Sequence, residues 1–221
     1  MLRTDDLRNA IKLLYQIVPN KTTMPILQNI KFETRNGQLE LTATDLEHSL
    51  TLYLQTDTEY NTCIPAQTLN ELLAVVSAPE IDIIPKDNHV IVNRNPGKTR
   101  INTMLSDDFP ITDIAPHNII DIDANTFASA IKMCMVSVSD DKSHPVLSGI
   151  LLESHNNELK IASADGFRMT QIKLMFGMPD FSLIIPAESA KAIVSVLKDG
   201  KANLAINENR FAIFSESFRL T

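Results

Sequence analysis

The chain has 221 residues and a formal net charge of −7, with 44% hydrophobic and 21% charged residues. This length fits two domains of ordinary size, and the composition lets each of them bury a core. The sequence has no apolar run of the ~18 residues that a membrane span needs, and its N-terminus lacks the apolar core of a signal peptide. These features predict a cytoplasmic protein without a membrane partner.

The first half of the chain predicts helices alternating with short strands. Thr4 or Asp5 is expected to cap a first helix that runs to about Val18, because apolar residues recur at helical spacing. The dipeptide Asn36-Gly37 predicts a tight hairpin. The remaining predicted elements are strands at 26–34, 38–44 and 48–56, a short strand ending at Ile64, a helix from Pro65 to about Ser77, and strands at 81–85, 89–93 and 98–105.

The second half of the chain repeats the first. The matched residues are Pro25, Leu27, Leu39 and Asp45 with Pro145, Leu147, Leu159 and Asp165 at an offset of 120, and Ile64-Pro65-Ala66 with Ile185-Pro186-Ala187 at 121. A match of this length indicates an internal duplication. We therefore predict an α+β fold with two tandem copies of one domain, residues 1–118 and 119–221, each with two helices packed on antiparallel sheets. The last strand of the second copy is expected to be incomplete.

Patterns for catalysis or metal binding are missing from the sequence. The five histidines are scattered, and no nucleophile elbow, P-loop or G-x-G-x-x-G motif is present. Asp121 and Asp123 precede a predicted helix, so capping and a solvated strand edge explain them better than a metal site. We therefore predict a protein that is not an enzyme and that holds no metal ion or cofactor.

Two other pairs of reactive residues have structural interpretations. Asp45 and Asp165 are the same residue in the two copies, and a turn aspartate that accepts hydrogen bonds from neighbouring N–H groups is expected twice. Cys63 and Cys134 lie one in each copy, on a strand and a helix, without metal-ligand spacing. Both are predicted to be buried free thiols of a reducing compartment.

The basic residues are more informative. Arg8, Lys12, Lys132, Lys191 and Lys198 lie on or beside polar helix faces, and Lys21 and Lys142 lie in equivalent loops. Acidic residues look sparse on these helices although the chain as a whole is acidic, which favours a surface that faces a polyanion. Because no recognition helix, zinc finger or aromatic stacking motif is present, such binding would be to phosphates, without sequence preference and sensitive to salt.

A set of short motifs runs from end to end of the chain. These motifs are Met24-Pro25-Ile26-Leu27, Ala43-Thr44-Asp45-Leu46-Glu47, Ile64-Pro65-Ala66, Asp108-Phe109-Pro110, His144-Pro145-Val146-Leu147-Ser148-Gly149, Ala164-Asp165-Gly166-Phe167-Arg168 and Ile184-Ile185-Pro186-Ala187. In this order and spacing they resemble the bacterial DNA polymerase III beta subunits, the sliding clamps. The resemblance covers the whole chain and agrees with the duplication.

The resemblance implies the DNA clamp fold, in which a ring of six such domains surrounds duplex DNA and helices line the hole. Subunits of this family have three domains and pair head to tail as a homo-oligomeric ring. The chain matches the first two domains, so the third is expected to be absent from it. A clamp of this kind works with a clamp loader, slides on DNA and tethers DNA polymerase III and other proteins with clamp-binding motifs, and it catalyses nothing.

The resemblance also assigns residues. Lys21 lies at the family's DNA-contacting loop position, and His144 stands where the family usually has Arg, which implies a weaker or pH-dependent contact. The family's pocket for partner peptides lies between the second and third domains. Its second-domain half corresponds to Leu147, Ala164, Gly166, Phe167, Arg168 and Met169.

Two alternatives to a three-domain clamp stay open at the level of sequence. One is a two-domain clamp that closes its ring as a trimer. The other is a clamp-like adaptor from a phage or mobile element that binds replication proteins without encircling DNA. An enzyme on this scaffold has no supporting residues.

Overall fold

The computed structural model describes residues 1–94, 97–110, 119–141, 143–175, 177, 179–198, 200–207 and 210–221. The chain divides into two compact units. Unit 1 is Met1–Asp113 together with Glu216–Thr221, and unit 2 is Ile114–Ser215. The last six residues therefore belong to unit 1, although the duplication relates them to the second copy.

Residues 2–102 of unit 1 form two helices and eight strands. Its elements are β1 (Leu2–Arg3), α1 (Thr4–Leu14), β2 (Asn29–Arg35), β3 (Gln38–Thr44), β4 (Ser49–Gln55), β5 (Asn61–Pro65), α2 (Ala66–Val75), β6 (Glu80–Pro85), β7 (His89–Asn93) and β8 (Lys98–Asn102). The strands form two antiparallel sheets, one in the order β1-β6-β7-β8 and the other in the order β5-β2-β3-β4. Leu7, Ile11 and Leu14 of α1 are buried, so this face of the helix forms part of the core.

Unit 2 has the same order of elements. These are β9 (Ile120–Asp123), α3 (Ala124–Cys134), β10 (Gly149–His155), β11 (Glu158–Ala164), β12 (Met169–Met175), β13 (Phe181–Pro186), α4 (Ala187–Val196), β14 (Lys201–Asn207) and β15 (Arg210–Phe214). One antiparallel sheet has the order β12-β11-β10-β13, and in the other β14 pairs with both β9 and β15. Phe127, Ile131 and Cys134 of α3 are fully buried.

The structure confirms the predicted α+β fold, with four α-helices and antiparallel sheets. The duplication is visible in the bounds of the elements, because α3 begins 120 residues after α1, and β10, β11 and β12 each follow β2, β3 and β4 by the same offset. The hairpin turn predicted at Asn36-Gly37 has positive φ at both residues, 53° and 76°. In unit 2, Asn156 and Asn157 adopt the same conformation, with φ of 52° and 64°.

Some predicted boundaries were wrong. Helix α1 starts at Thr4 itself, without a side-chain cap, and the Thr4 N–H donates to Pro79 O at 2.9 Å. It ends at Leu14 rather than near Val18. The strand predicted from residue 26 begins at Asn29, because a short 3₁₀-helix that opens with Pro25 precedes it. The predicted strand at 98–105 ends at Asn102.

The end of the chain adds one more strand to unit 1. Strand β16 (Phe218–Leu220) pairs antiparallel with β4, with Phe218 opposite Leu52 and Leu220 opposite Leu50. The N–H and C=O groups of Ser49 and Thr221 exchange two hydrogen bonds of 2.8 and 2.9 Å. Leu50, Leu52, Phe218 and Leu220 lie on one face of this pairing and are all buried, so a well-packed strand covers the outer edge of β4.

No helix in the described part of the chain is long and apolar enough to cross a membrane. Among the same residues, no group of three or more His, Cys, Asp or Glu side chains is placed to hold a metal ion.

Candidate functional site

Lys12 and Lys132 occupy the same place in the two copies. Each lies in the last turn of the first helix of its unit, α1 or α3, and each side chain is exposed. Neither side chain has a hydrogen bond or an ion pair to another described residue. A lysine at a helix C-terminus also interacts favourably with the helix dipole. These two cations are therefore free to contact an external anion.

The four helices are less basic than the sequence suggested. Within their bounds they carry the acidic residues Asp5, Asp6, Glu71 and Glu188 and the basic residues Arg8, Lys12, Lys132 and Lys191. The helices are thus neutral overall, and the expected excess of basic residues is not found on them. They are still less acidic than the chain as a whole, whose charge is −7.

Arg8 has a structural role that the sequence did not indicate. Its guanidinium donates to Leu73 O at 2.9 Å and to Val76 O at 2.5 Å, at the C-terminal end of α2, and it also pairs with Asp5. These carbonyls have no partners within the helix, so Arg8 satisfies them and fixes α2 on α1. Its charge is engaged inside unit 1, and we leave it out of the proposed DNA-contacting set.

The loop residues predicted to contact DNA differ in their environments. Lys21 is exposed and makes no hydrogen bond or ion pair within the described residues. Its counterpart Lys142 lies outside those residues. His144 is exposed, and its Nδ1 lies 3.1 Å from Asp141 Oδ2. Hydrogen bonds from Ser143 and then from His144 hold the pKa of Asp141 below its ordinary value. The nearby carboxylate offsets any positive charge on His144.

The basic residues of the last helix are also divided. Lys191 pairs with Glu188 at 3.0 Å, one turn earlier on α4. Lys198 follows α4, is exposed, and has no bonded partner among the residues that the structure describes. Free cations of the predicted set are therefore Lys12, Lys21, Lys132 and Lys198.

The two duplicated aspartates organise matching turns, as predicted. Asp45 Oδ1 accepts hydrogen bonds from the N–H groups of Glu47 and His48, at 3.0 and 2.9 Å. Asp165 Oδ1 accepts hydrogen bonds from the N–H groups of Phe167 and Arg168, both at 3.0 Å. Asp123 caps α3 by accepting from the N–H of Thr126 at 2.8 Å, which confirms its structural interpretation.

The turn of unit 2 presents the residues assigned to the peptide pocket. Phe167 is fully exposed and Met169 is 61% exposed, while Ala164 and Leu147 are partly exposed. Gly166 has φ of 89°, so it lets the chain turn sharply below Phe167. Exposed aromatic and methionine side chains of this kind are typical of surfaces that bind apolar partners.

Hydrogen bonds fix the geometry of this apolar turn. Arg168 Nε donates to Asp165 Oδ2 at 2.8 Å, and the hydrogen bonds from Phe167 N–H and then from Arg168 lower the pKa of Asp165. Leu147 O accepts from Ser139 N at 2.9 Å, and the nearby Ser137 hydroxyl lies 2.7 Å from Thr170 Oγ1. These contacts place Leu147 in the same region as the start of β12.

The sequence did not single out two further exposed apolar residues in unit 2. Val146 is 69% exposed and Ile184 is 41% exposed. The duplication relates them to Ile26 and Cys63, and both of those residues are buried in unit 1, so the repeat gave no signal of their exposure.

The thiols are unsuited to nucleophilic chemistry. Cys63 and Cys134 are free and buried, as predicted, and burial raises their pKa values to about 12 and about 11. A thiol with such a pKa is almost entirely protonated at neutral pH. Burial likewise raises the pKa of Tyr60 to about 12, and its hydroxyl donates to Ile83 O at 2.9 Å.

Family comparisons cover nearly the whole chain. Residues 1–113 match the model of the DNA polymerase III beta subunit, N-terminal domain, and residues 121–221 match that of the DNA polymerase III beta subunit, central domain. The beta sliding clamp of Rickettsia bellii is 30% identical over 209 residues, which are 91% of this chain and 55% of the relative. That of Chlamydia muridarum is 23% identical over 221 residues, with 96% and 60% covered.

Solved structures agree with this fold. A sliding clamp of Pseudomonas aeruginosa bound to griselimycin aligns with a TM-score of 0.91 at 20% identity, over 99% of this chain and 62% of that one. The Helicobacter pylori beta clamp bound to a DNA ligase peptide aligns with a TM-score of 0.90 at 19% identity, over 99% and 64%. The chain thus spans somewhat more than half the length of the relatives that it matches.

Proposed function

The chain belongs to the DNA polymerase III beta subunit family, and on this premise we propose that it provides the first two domains of a DNA sliding clamp. The observation that carries the proposal is the tandem match to the family's N-terminal and central domains, on a duplicated fold. The proposed protein is a replication processivity factor. It holds DNA by encircling it, and it catalyses no reaction and uses no cofactor.

DNA contact in this proposal comes from a few free cations. Lys12 and Lys132 are equivalent in the two copies, and Lys21 and Lys198 add to them. Lysines that meet phosphates supply binding that is independent of sequence and falls with salt. His144 is a weaker contributor because of its pairing with Asp141. Weak contacts of this kind suit a protein that must slide.

The apolar turn of unit 2 supports the proposed role in tethering. We assign Leu147, Ala164, Gly166, Phe167, Arg168 and Met169 to one half of a surface for clamp-binding motifs of DNA polymerase III and other partners. Such motifs would place apolar side chains against Phe167 and Met169, with Arg168 at the edge. We further propose a clamp loader as a partner, a head-to-tail ring as the working assembly, and the cytoplasm as its location.

A test of topology distinguishes encirclement from ordinary binding. Labelled protein is loaded on nicked circular DNA with a clamp loader, separated from free protein by gel filtration, and treated with a nuclease that cuts the circle once. Release on cutting is expected, because a ring slides off a free end. Retention on the linear DNA would contradict the proposal and favour the adaptor that binds without encircling.

Charge variants sharpen this test. Lys12→Glu combined with Lys132→Glu is expected to shorten the lifetime on circular DNA, since both substitutions place acids at proposed phosphate contacts. Lys86→Glu is the matched control, because Lys86 is an exposed lysine in the turn between β6 and β7, outside the four helices. Equal effects of the two sets would argue against DNA contact through the helix ends.

One observation favours the trimeric ring as a second candidate. Strands β8 and β12 are both outermost in their sheets among the described residues, so each has an edge that can accept a strand. Light scattering across a concentration series tests this idea. A trimer that persists on dilution would support closure by three copies of this chain, and a monomer at all concentrations would exclude it.

A further inference from the structure

The turn between β2 and β3 holds the only Asn-Gly dipeptide in the sequence, Asn36-Gly37. Both residues are exposed, and their φ values of 53° and 76° are those of a two-residue type I′ turn. The flanking residues Arg35 and Gln38 stand opposite each other in the pairing of β2 with β3. The ladder uses the backbone groups of these flanking residues, so the N–H of Gly37 stays outside it.

The side-chain amide of Asn36 and the N–H of Gly37 lie next to each other and are both free to react. Within the described residues, neither group makes a hydrogen bond. A Cβ added at Gly37 would meet nothing within 4 Å, so the space beside the turn is open. Glycine has no side chain that hinders access to its nitrogen, and its backbone reaches conformations that other residues rarely adopt. Attack of the Gly37 nitrogen on Asn36 Cγ is therefore unobstructed.

Such an attack converts the asparagine through a cyclic imide. The Gly37 nitrogen forms a bond to Asn36 Cγ and gives its proton to hydroxide, and the side-chain nitrogen leaves as ammonia. Water then opens the imide by breaking one of its two bonds to the Gly37 nitrogen. Addition of water at Cγ yields aspartate, whereas addition at the backbone carbonyl carbon yields isoaspartate, whose main chain runs through Cβ and Cγ and is one carbon longer. Water is the only co-reactant.

The equivalent turn of unit 2 has the same shape but lacks the glycine. Asn156 and Asn157 join β10 to β11, both are exposed, and their φ values are 52° and 64°. The side chain of Asn157 stands where Gly37 has only a hydrogen atom, and it hinders the approach of its own nitrogen to Asn156 Cγ. The two turns thus differ in reactivity through one residue on a shared backbone geometry.

The pair Asp165-Gly166 can form the same imide by loss of water, but hydrogen bonds hold its carboxylate in place. Asp165 Oδ1 accepts from the N–H groups of Phe167 and Arg168 at 3.0 Å, and Oδ2 accepts from Arg168 Nε at 2.8 Å. These bonds stabilise the ionised form, which is a poor electrophile, and turn it toward other donors than Gly166. The other Asp-Gly pair, Asp199-Gly200, includes a residue outside the described part of the chain.

We propose that Asn36 is a site of spontaneous deamidation in the folded protein, and that its isoaspartate product loosens the β2–β3 hairpin. The turn sets the register of the two strands, and a main chain with one added carbon no longer matches the turn that holds Arg35 opposite Gln38. The product also places a carboxylate beside Arg35, which lies 3.0 Å from Glu33 and 3.9 Å from Glu40. The inference holds whether or not the chain acts as a clamp.

Incubation of the full chain at pH 8, followed by peptide mapping with mass spectrometry, tests the site. Asn36 should deamidate at least about tenfold faster than Asn156, with isoaspartate among its products, because only Gly37 lets the nitrogen reach attack geometry. The rate should rise with pH, since the attacking nitrogen must lose its proton. Asn157→Gly is the matched variant. Glycine accepts the φ of 64° at this position, and the substitution should make Asn156 deamidate within about threefold of the rate at Asn36.

A second measurement tests the effect on the hairpin. The isoaspartate form, separated from the parent chain by anion exchange, should show faster hydrogen exchange of the β2 and β3 amides next to the turn. Asn36→Asp adds the same charge on a main chain of normal length, and its exchange should stay within about twofold of the parent. The proposal is overturned by equal deamidation of Asn36 and Asn156 in the parent chain, by an Asn157→Gly variant in which Asn156 reacts no faster, or by equal exchange in the isoaspartate form and the parent.

Discussion

The two units repeat one sequence pattern and one order of elements, but they differ in what covers their sheets. In unit 1, β16 lies on the edge of β4 and Met104 pairs with β5. In unit 2, the equivalent strands β12 and β13 are outermost among the described residues. Ile26 is therefore 6% exposed in unit 1, whereas its counterpart Val146 is 69% exposed in unit 2. An exposed apolar edge is the kind of surface that can bind a partner.

The largest expected effect comes from removing the Phe109 side chain, which is buried in unit 1. Phe109→Ala deletes a buried aromatic side chain that packs on Ile26, Leu27 and Cys63, which should lower the free energy of unfolding by about 3–5 kcal/mol. It should also expose the Cys63 thiol, so its raised pKa should fall toward the ordinary value. Urea unfolding and the rate of reaction with Ellman's reagent at pH 8 measure the two effects.

Phe167→Ala is the control for this change, because it removes an exposed phenylalanine from unit 2 and should alter stability by less than about 0.5 kcal/mol. Cys134 should stay unreactive in both variants. Equal stability losses at Phe109 and Phe167 would show that the buried contacts of Phe109 add nothing to the stability of unit 1.

The next effect concerns the two aspartate turns. Asp45 bonds two backbone N–H groups and lies 3.1 Å from Nδ1 of the buried His48, whereas Asp165 serves an exposed turn. Asp45→Ala should therefore cost about 1–2 kcal/mol of unfolding free energy, and Asp165→Ala should cost less. Urea unfolding of the two variants at pH 7 compares them directly.

The pH dependence of unit 1 follows from the same turn. Burial alone raises the pKa of Asp45, but the hydrogen bonds from His48 outweigh it and lower the pKa below the ordinary value. A carboxyl group with a lowered folded-state pKa adds stability above its unfolded pKa of about 3.9, and this stability is lost as pH falls through the folded value. Stability of Asp45→Asn should hence fall less between pH 5 and pH 3 than that of the parent chain.

Sequence reasoning reached the fold because its signals were local. Asn36-Gly37 and the repeated aspartates act within a few residues, and the apolar periods of the helices decide which face is buried. The duplication then showed that the two halves of the chain have the same order of elements. Some element boundaries were predicted wrongly. Pro25 opens a 3₁₀-helix where the residue composition had favoured the start of a strand.

The site was only partly accessible to the same reasoning. The contacts of Arg8 with the α2 carbonyls join residues 65 or more positions apart, and no local pattern reports such a contact. The exposure of Val146 and Ile184 depends on which segments pack against them, which is a tertiary property. The assignments of Phe167 and Met169 to a peptide surface came from the family resemblance, and their exposure is consistent with it.

A smaller effect is expected from exchanging the residues at the tips of the turns. Leu46 has φ of 79°, where leucine is strained, and its counterpart Gly166 has φ of 89°. Gly166→Leu should cost about 1 kcal/mol in backbone strain alone, because nothing lies within 4 Å of the added Cβ. Leu46→Gly should be neutral or stabilising by about 0.5 kcal/mol, since relief of strain offsets the entropy of glycine. Denaturant unfolding measures both effects, and a change of stability in the same direction for the two variants would contradict this account.

The smallest effect, and the one closest to function, concerns Lys12 and Lys132. Each lysine that contacts a phosphate should contribute about 0.9 to the slope of log K against log salt concentration. Lys12→Ala and Lys132→Ala should therefore each lower the slope by about this amount for a short duplex, measured by anisotropy, while Lys86→Ala leaves it unchanged. Helix α1 carries Asp5 and Asp6 but α3 has no acidic residue, so Lys132→Ala should weaken binding more at low salt. If only one of the two lysines changed the slope, the two copies would not contact DNA in equivalent ways, and the duplication of the fold would not extend to the proposed DNA-contacting surface.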